Sequence, residues 1–273
     1  MNKLLVGVSP FYIFAISRHK SRQCVFNCFT ERSIGVTANM PVIYKSLQSI
    51  LDIIDQNKWN DKFEIKTMLK EYDNLKLSSS QVTKKFPLIV IEGLDGCGKT
   101  STTKQISKKI GAWLHCTPPK MFDNLRPYFD GHPEIRGIFY SLGNYIASLE
   151  MMKILETQPV ILDRFWHSTV AYALAQSGTL PPKGDEVYEW PMDLLKPDAV
   201  YFLNVNEGER LKRISGRQMH TEQEKCIAND STFRNNIIEA YRNMKNPEVQ
   251  FIDGNQSFIS VVDTLLKKIQ LIK

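Results

Sequence analysis

The stretch IEGLDGCGKTSTT, Ile91–Thr103, places three glycines within six positions, then a lysine, then four successive hydroxyl residues. Glycine carries no Cβ, so such a run lets backbone N–H groups close around something that side chains would obstruct. Gly93-Leu94-Asp95-Gly96-Cys97-Gly98-Lys99-Thr100 fits the pattern G-x-x-x-x-G-K-[ST] of a phosphate-gripping loop. The apolar run FPLIVIE before it reads as a buried parallel strand, and TSTTKQISKKI after it as a helix. The loop would then end at a helix N-terminus, whose unpaired N–H groups attract anions. In this reading the backbone and short side chains of Gly93 through Ser101 hold the phosphates of ATP, and Lys99 reaches the β- and γ-phosphates. The Thr100 hydroxyl would ligate Mg²⁺.

Outward from this loop, short apolar runs alternate with longer helical stretches. Strands are expected at 88–92, 113–115, 160–163, 199–204 and 249–252. Helices are expected at 99–110, 135–156, 168–176, 207–214, 222–244 and 258–269. Together with the loop this predicts an α/β chain of the P-loop NTPase fold, a five-stranded parallel sheet flanked by helices, with a lid.

The other end of the site is sought at the C-terminal ends of neighbouring strands, where ligands bind in such sheets. PVILDRFWHSTVAY supplies Asp163-Arg164 there. Asp163 can hold Mg²⁺ directly or through water. Arg164 adds a planar cation suited to a second phosphate. An ATP hydrolase often carries Asp-Glu at this place; arginine instead points to an acceptor that has its own phosphate. NVNEGERLKRISGRQMH brings Arg210, Arg213 and Arg217 to about one helix face at i, i+3 and i+7, as lid cations for the phosphoryl in transfer or as a solvated basic face. An acceptor phosphate is already mostly dianionic near neutral pH, so no general base is required. Alignment, charge screening and exclusion of water are what the protein must supply.

The 273 residues fit one domain with an appendage, and 42% apolar content supports a full core. Net charge is +6, but residues 1–30 hold Lys3, Arg18, Lys20 and Arg22 and no acid, so the remainder is only about +2. That argues against a nucleic-acid partner. Five cysteines (Cys24, Cys28, Cys97, Cys116 and Cys226) show no zinc spacing with histidines, which favours a reducing compartment. No apolar run reaches the roughly 20 residues of a membrane span. Residues 1–40, acid-poor with arginine and serine, predict a transit-peptide leader and a mitochondrial address. A secretory signal over Leu4–Ile16 and a cytoplasmic chain are the alternatives. Residues 41–85 read as a helical lead-in, with apolar spacing at Leu47, Ile50, Leu51 and Ile54 and again at Phe63, Ile65, Met68, Leu69 and Tyr72, then a linker. Residues 86–273 form the catalytic domain of this reading.

That region resembles the thymidylate-kinase-like nucleoside monophosphate kinases. The resemblance is carried by FPLIVIEGLDGCGKT (86–100), IFYSLGNYIAS (138–148), VILDRFWHSTVAYA (160–173) and VYEWPMDLLKPD (187–198), and covers about two thirds of the chain. It implies transfer of the ATP γ-phosphoryl to a pyrimidine nucleoside monophosphate, with Mg²⁺, in a family that often forms homodimers. It implies that Asp95 contacts the acceptor sugar and that Tyr140 stacks on its base. Asn144 stands where thymidylate kinases use an arginine to read the pyrimidine, so UMP, CMP, dCMP or dUMP become expected acceptors and dTMP the alternative. Gly96 stands where some members place a loop arginine; members without it draw that cation from the lid, which fits Arg213 and Arg217, with Lys99 and Arg164 completing the catalytic set. Arg126 and Arg136 are further acceptor-phosphate candidates, Arg210 is grouped with the ATP side, and Asp253-Gly254-Asn255 resembles the adenine-side loop.

Rival classes are a guanine-reading GTPase, a deoxynucleoside kinase and a nucleotide-binding module without catalysis. The first lacks an Asn-Lys-x-Asp segment after the loop. The second lacks a carboxylate base in LHCTPPK. Intact Lys99, Thr100, Asp163 and Arg164 argue against the third.

Overall fold

A computed structural model describes residues 42–78, 82–216 and 227–272. Five strands, β1 (Leu88–Gly93), β2 (Trp113–Cys116), β3 (Val160–Asp163), β4 (Ala199–Asn204) and β5 (Val249–Asp253), form one sheet in the order β2-β3-β1-β4-β5. All neighbours are parallel. β1 is central and every one of its residues is buried, which is why its sequence runs apolar without alternation. Register sets Ile91 opposite Asp163 on one side and Gly93 opposite Leu203 on the other, so the glycine loop after β1 leaves the sheet beside the end of β3.

Helices cover both faces. On one side α3 (Lys99–Ile110) and α9 (Phe258–Ile269) pack Ile106, Val262 and Leu265 against Ile89, Ile91 and Ile161. On the other, the larger core joins Leu88, Val90 and Leu162 to α5 (Pro133–Ile154), α6 (Trp166–Gln176) and α8 (Ser231–Asn243). The lead-in helices α1 (Leu47–Gln56) and α2 (Phe63–Leu77) belong to this same core through Ile50, Ile54, Ile65 and Met68, all fully buried. Ser46 caps α1, and the Leu47 N–H donates to Asp193 Oδ2 at 2.8 Å while the Tyr145 hydroxyl of α5 donates to Asp193 Oδ1 at 2.7 Å. Asp193 thus ties the lead-in to the domain.

The five expected strands and the helices at 99–110 and 258–269 lie where the pattern placed them. The helix expected at 222–244 is interrupted: residues 227–229 are helical, and α8 begins anew at Ser231, where Asp230 accepts from the Phe233 N–H and caps it; residues 222–226 lie outside the described residues. The short helix α4 (Arg126–Asp130) was not expected; five residues are too few for a readable period. α7 (Glu207–Ser215) starts on an Asn206 cap. The leader and Arg217 lie outside the described residues.

Candidate active site

The loop between β1 and α3 needs left-handed backbone. Gly96 has φ +88° and Gly98 φ +97°, values costly for any residue with a Cβ. A Cβ on Gly96 would also lie 2.5 Å from Ile214 of α7, so glycine permits the close seating of α7 beneath the loop. That seating is locked by two arginines. Arg210 is fully buried, grips both oxygens of Glu207 at 2.7 and 2.6 Å, and donates from Nη1 to the Asp95 carbonyl at 2.8 Å. Arg213 donates from Nη1 to the Cys97 carbonyl at 3.0 Å and from Nη2 to the Gly254 carbonyl at 2.9 Å. The loop is therefore joined to the turn after β5, where Asp253 Oδ1 accepts from the Asn255 N–H and the Asn255 side chain accepts from Asn206 N–H.

Inside the loop, the Lys99 ammonium donates to the carbonyls of Gly93 (2.8 Å) and Leu94 (3.0 Å) and lies 3.8 Å from Asp95. Leu94 and Cys97 are buried, and Ser101 is exposed on the first turn of α3. Thr100 donates its hydroxyl to Asp163 Oδ2 at 3.1 Å, joining the loop to the end of β3. A hydroxyl and a carboxylate oxygen so placed are a hard-oxygen pair of the kind Mg²⁺ takes, with phosphates and waters completing its shell. Among the described residues no group of three or more His, Cys, Asp and Glu side chains converges on a further metal site.

Arg164 stands beside this pair with φ +67°, unusual for a residue bearing a side chain. Its guanidinium pairs with Asp95 Oδ1 and lies 5.3 Å over the Tyr172 ring. Burial pushes the Asp95 carboxyl up, but Arg164 and Lys99 outweigh it and hold its pKa down to about 2. Asp95 is thus an anion shared by two cations.

A second group lies on α4, α5 and α6. Arg136 pairs with Asp130 at 3.1 Å and its guanidinium lies 5.5 Å over the half-buried ring of Tyr140. Arg126 is exposed at the start of α4. Asn144, one turn from Tyr140 on α5, is buried and donates from Nδ2 to Thr169 Oγ1 at 3.1 Å, while its buried Oδ1 has no partner among the described residues. Thr169 sits one turn of α6 before Tyr172, so this group adjoins the Arg164 cluster.

Three contributors escaped sequence reasoning: Tyr172, Tyr241 and Glu92. Glu92 is fully buried and accepts from the Phe165 N–H at 2.9 Å and from the Tyr241 hydroxyl at 2.8 Å. Burial pushes its carboxyl up to about 7, against the pull of Arg164, the Phe165 N–H, Tyr241 and Lys99. An acid inside LIVIE was the available signal. His167 is fully buried and neither ring nitrogen has a partner among the described residues; burial pulls its pKa down to about 3, so it is neutral.

Residues 132–265 match the family model described as thymidylate kinase. Over 193 residues the chain is 42% identical to the human protein named UMP-CMP kinase 2, mitochondrial, covering 68% of this chain and 43% of the human one. The chain thus spans less than half the length of that relative. It is 30% identical over 186 residues to a probable thymidylate kinase of Methanococcus maripaludis, covering 66% of this chain and 88% of the archaeal one. A solved thymidylate kinase from Candida albicans superposes with a TM-score of 0.53 over 68% of this chain and 91% of its own, at 20% identity, a likeness of fold.

Proposed function

The chain belongs to the thymidylate kinase family, and we propose that it transfers the γ-phosphoryl group of ATP to a pyrimidine nucleoside monophosphate. The observation that carries this reading is Arg164 paired with Asp95 beside the loop, where a hydrolase would carry a second carboxylate. A cation there suits an acceptor phosphate. In this reading Lys99 leaves the Gly93 and Leu94 carbonyls for the β- and γ-phosphates. Arg164 exchanges Asp95 for the acceptor phosphate, and the freed Asp95 carboxylate takes hydroxyls of the acceptor sugar. Arg213, already bonded to the Cys97 carbonyl of the loop, neutralises charge developing on the phosphoryl group, with Arg217 as the second lid cation. Thr100 and Asp163 would hold Mg²⁺, which would supply charge screening for the transferring phosphate. Arg210 supports the ATP side from beneath, through the Asp95 carbonyl.

Asn144 supports a pyrimidine acceptor. The Thr169 hydroxyl can accept from the amide nitrogen or donate to the amide oxygen, so either orientation of Asn144 leaves one amide group for the base. An acceptor suits the N–H of uracil, a donor the ring nitrogen of cytosine. UMP, CMP, dCMP and dUMP are therefore the expected acceptors, with dTMP the second reading, which the relatives named thymidylate kinase favour. Tyr140 stacks on the base, and Arg126 and Arg136 reach the acceptor phosphate. A mitochondrial location is part of the proposal, supported by the acid-poor leader and by the name of the human relative. A homodimer is part of the same proposal.

The test is ADP release by a coupled assay with ATP–Mg²⁺ and each pyrimidine monophosphate in turn. Turnover preferring CMP, dCMP or UMP supports the reading. Preference for dTMP selects the second reading. ATP binding without turnover on any acceptor refutes both.

A further inference from the structure

We infer that Glu92 is a positioning residue that holds the Arg164 backbone in its left-handed conformation and so aims the guanidinium at the acceptor side of the site. The inference rests on the kinase reading for what Arg164 does, but the anchoring itself is independent of turnover.

Arg164 leaves β3 with φ +67°, and a residue with a side chain stays there only when its surroundings hold it. Three contacts hold this one. Its own N–H donates to the Ile91 carbonyl at 3.1 Å, extending the β1 ladder. Its carbonyl accepts from the Thr117 hydroxyl at 3.0 Å. The next N–H, of Phe165, donates to Glu92 Oε1 at 2.9 Å. The first contact belongs to the sheet, but the other two are made by side chains, and only Glu92 reaches across from the strand that carries the phosphate loop. Without Glu92 the Phe165 N–H would be left buried and unpaired.

The second oxygen of Glu92 extends the device. Oε2 accepts from the Tyr241 hydroxyl of α8 at 2.8 Å, which fixes the carboxyl plane. The charged or titratable groups that face Glu92 are Arg164, Lys99, Tyr241 and Tyr172. Tyr172 also backs the Arg164 guanidinium at 5.3 Å, so the arginine is held at its backbone and at its guanidinium. Arg164 and the loop are thereby referred to one side chain at the end of β1. Anchoring needs an acceptor oxygen at Oε1 rather than a negative charge, so glutamine in the carboxyl's place keeps both contacts with Tyr241 as acceptor. Methionine keeps the volume and loses both contacts.

The experiment compares E92Q, E92M and T117V with the native chain, using CMP, UMP and dTMP as acceptors. E92M is expected to lower kcat about 30-fold and raise the acceptor KM, with the ATP KM within about twofold. T117V is expected to show the same pattern at about fivefold, and E92Q to stay within about threefold of native. A second readout requires no turnover: in protein labelled with ¹⁵N-arginine, the Arg164 side-chain N–H signal, assigned by its loss in R164K, is resolved in the native chain and E92Q. It is expected to collapse into the exchange-averaged signals in E92M, or in T117V should E92M fail to fold. Native kinetics and an intact Arg164 signal in E92M overturn the inference. So does E92Q falling as far as E92M, or a T117V loss that appears in the ATP KM instead of the acceptor terms. A native chain without turnover on any acceptor sinks the kinase reading, and the Arg164 signal still decides the anchoring.

Discussion

Arg210→Met separates support of the loop from contact with ATP. Arg210 has no exposed surface, and its guanidinium bonds to Glu207 and the Asp95 carbonyl. Removing one member of a buried ion pair costs about 3–5 kcal/mol. Glu207 is about a quarter exposed and retains Arg234 at 3.5 Å, which places the loss near the lower end, about 3 kcal/mol. For a domain of this size that corresponds to a fall in Tm of about 6–12 °C. Differential scanning calorimetry of native protein, R210M and E207Q measures it. Because Glu207 and Arg210 act as a pair, the R210M/E207Q double variant is expected to lose less than the sum of the two single losses. ATP affinity, titrated calorimetrically well below the lowered Tm, is expected to fall only modestly, since the loop keeps Arg213. A Tm change under about 2 °C with ATP affinity reduced tenfold or more would refute this, and would put the guanidinium on the nucleotide.

Other outcomes follow from the same geometry. His167 has a folded pKa of about 3 against 6.5 unfolded, so its contribution is present above pH 6.5 and is lost as pH falls toward 3. H167F is therefore expected to resist acid better than the native chain, by up to about 3 kcal/mol near pH 4, in urea melts at pH 7, 5 and 4; equal acid sensitivity would contradict it. Glu92 has the opposite sign: its folded pKa is raised, so stability falls as pH rises from 4.5 through about 7, and E92Q is expected to abolish that slope. G96A meets both φ +88° and Ile214 at 2.5 Å, and is expected to weaken ATP binding at least tenfold by titration. G96A/I214A relieves the collision but not the backbone strain, so recovery is expected to be partial. D193A removes the shared acceptor of Leu47 and Tyr145, and is expected to destabilise by about 1 kcal/mol and to speed hydrogen exchange in α1 with little change in the sheet.

The strand run before the loop, the glycines and the Asp163-Arg164 pair made the sheet and the geometry of the glycine loop legible, because each rests on local chemistry that short sequence spacing records. Arg210 and Arg213 were visible as cations on one face, but not how they divide the work: burial of Arg210 depends on α7 seating against Gly96, a long-range contact. The partnership of Glu92 with Phe165 and Tyr241 was hidden for the same reason, since its members lie 73 and 149 residues apart. The lead-in helices were readable as helices from their apolar spacing. Their place in the main core was not, because Asp193, which fastens α1, lies 146 residues further along the chain.

The most direct test of the central claim follows the phosphoryl group itself. ATP labelled at the γ-phosphate is mixed with Mg²⁺, CMP or UMP and excess enzyme for a single turnover, native beside R164A. The account predicts label in the pyrimidine nucleoside diphosphate with the native chain, and its near-complete loss in R164A while ATP remains bound. Label released as inorganic phosphate, or transferred equally well by R164A, would contradict it.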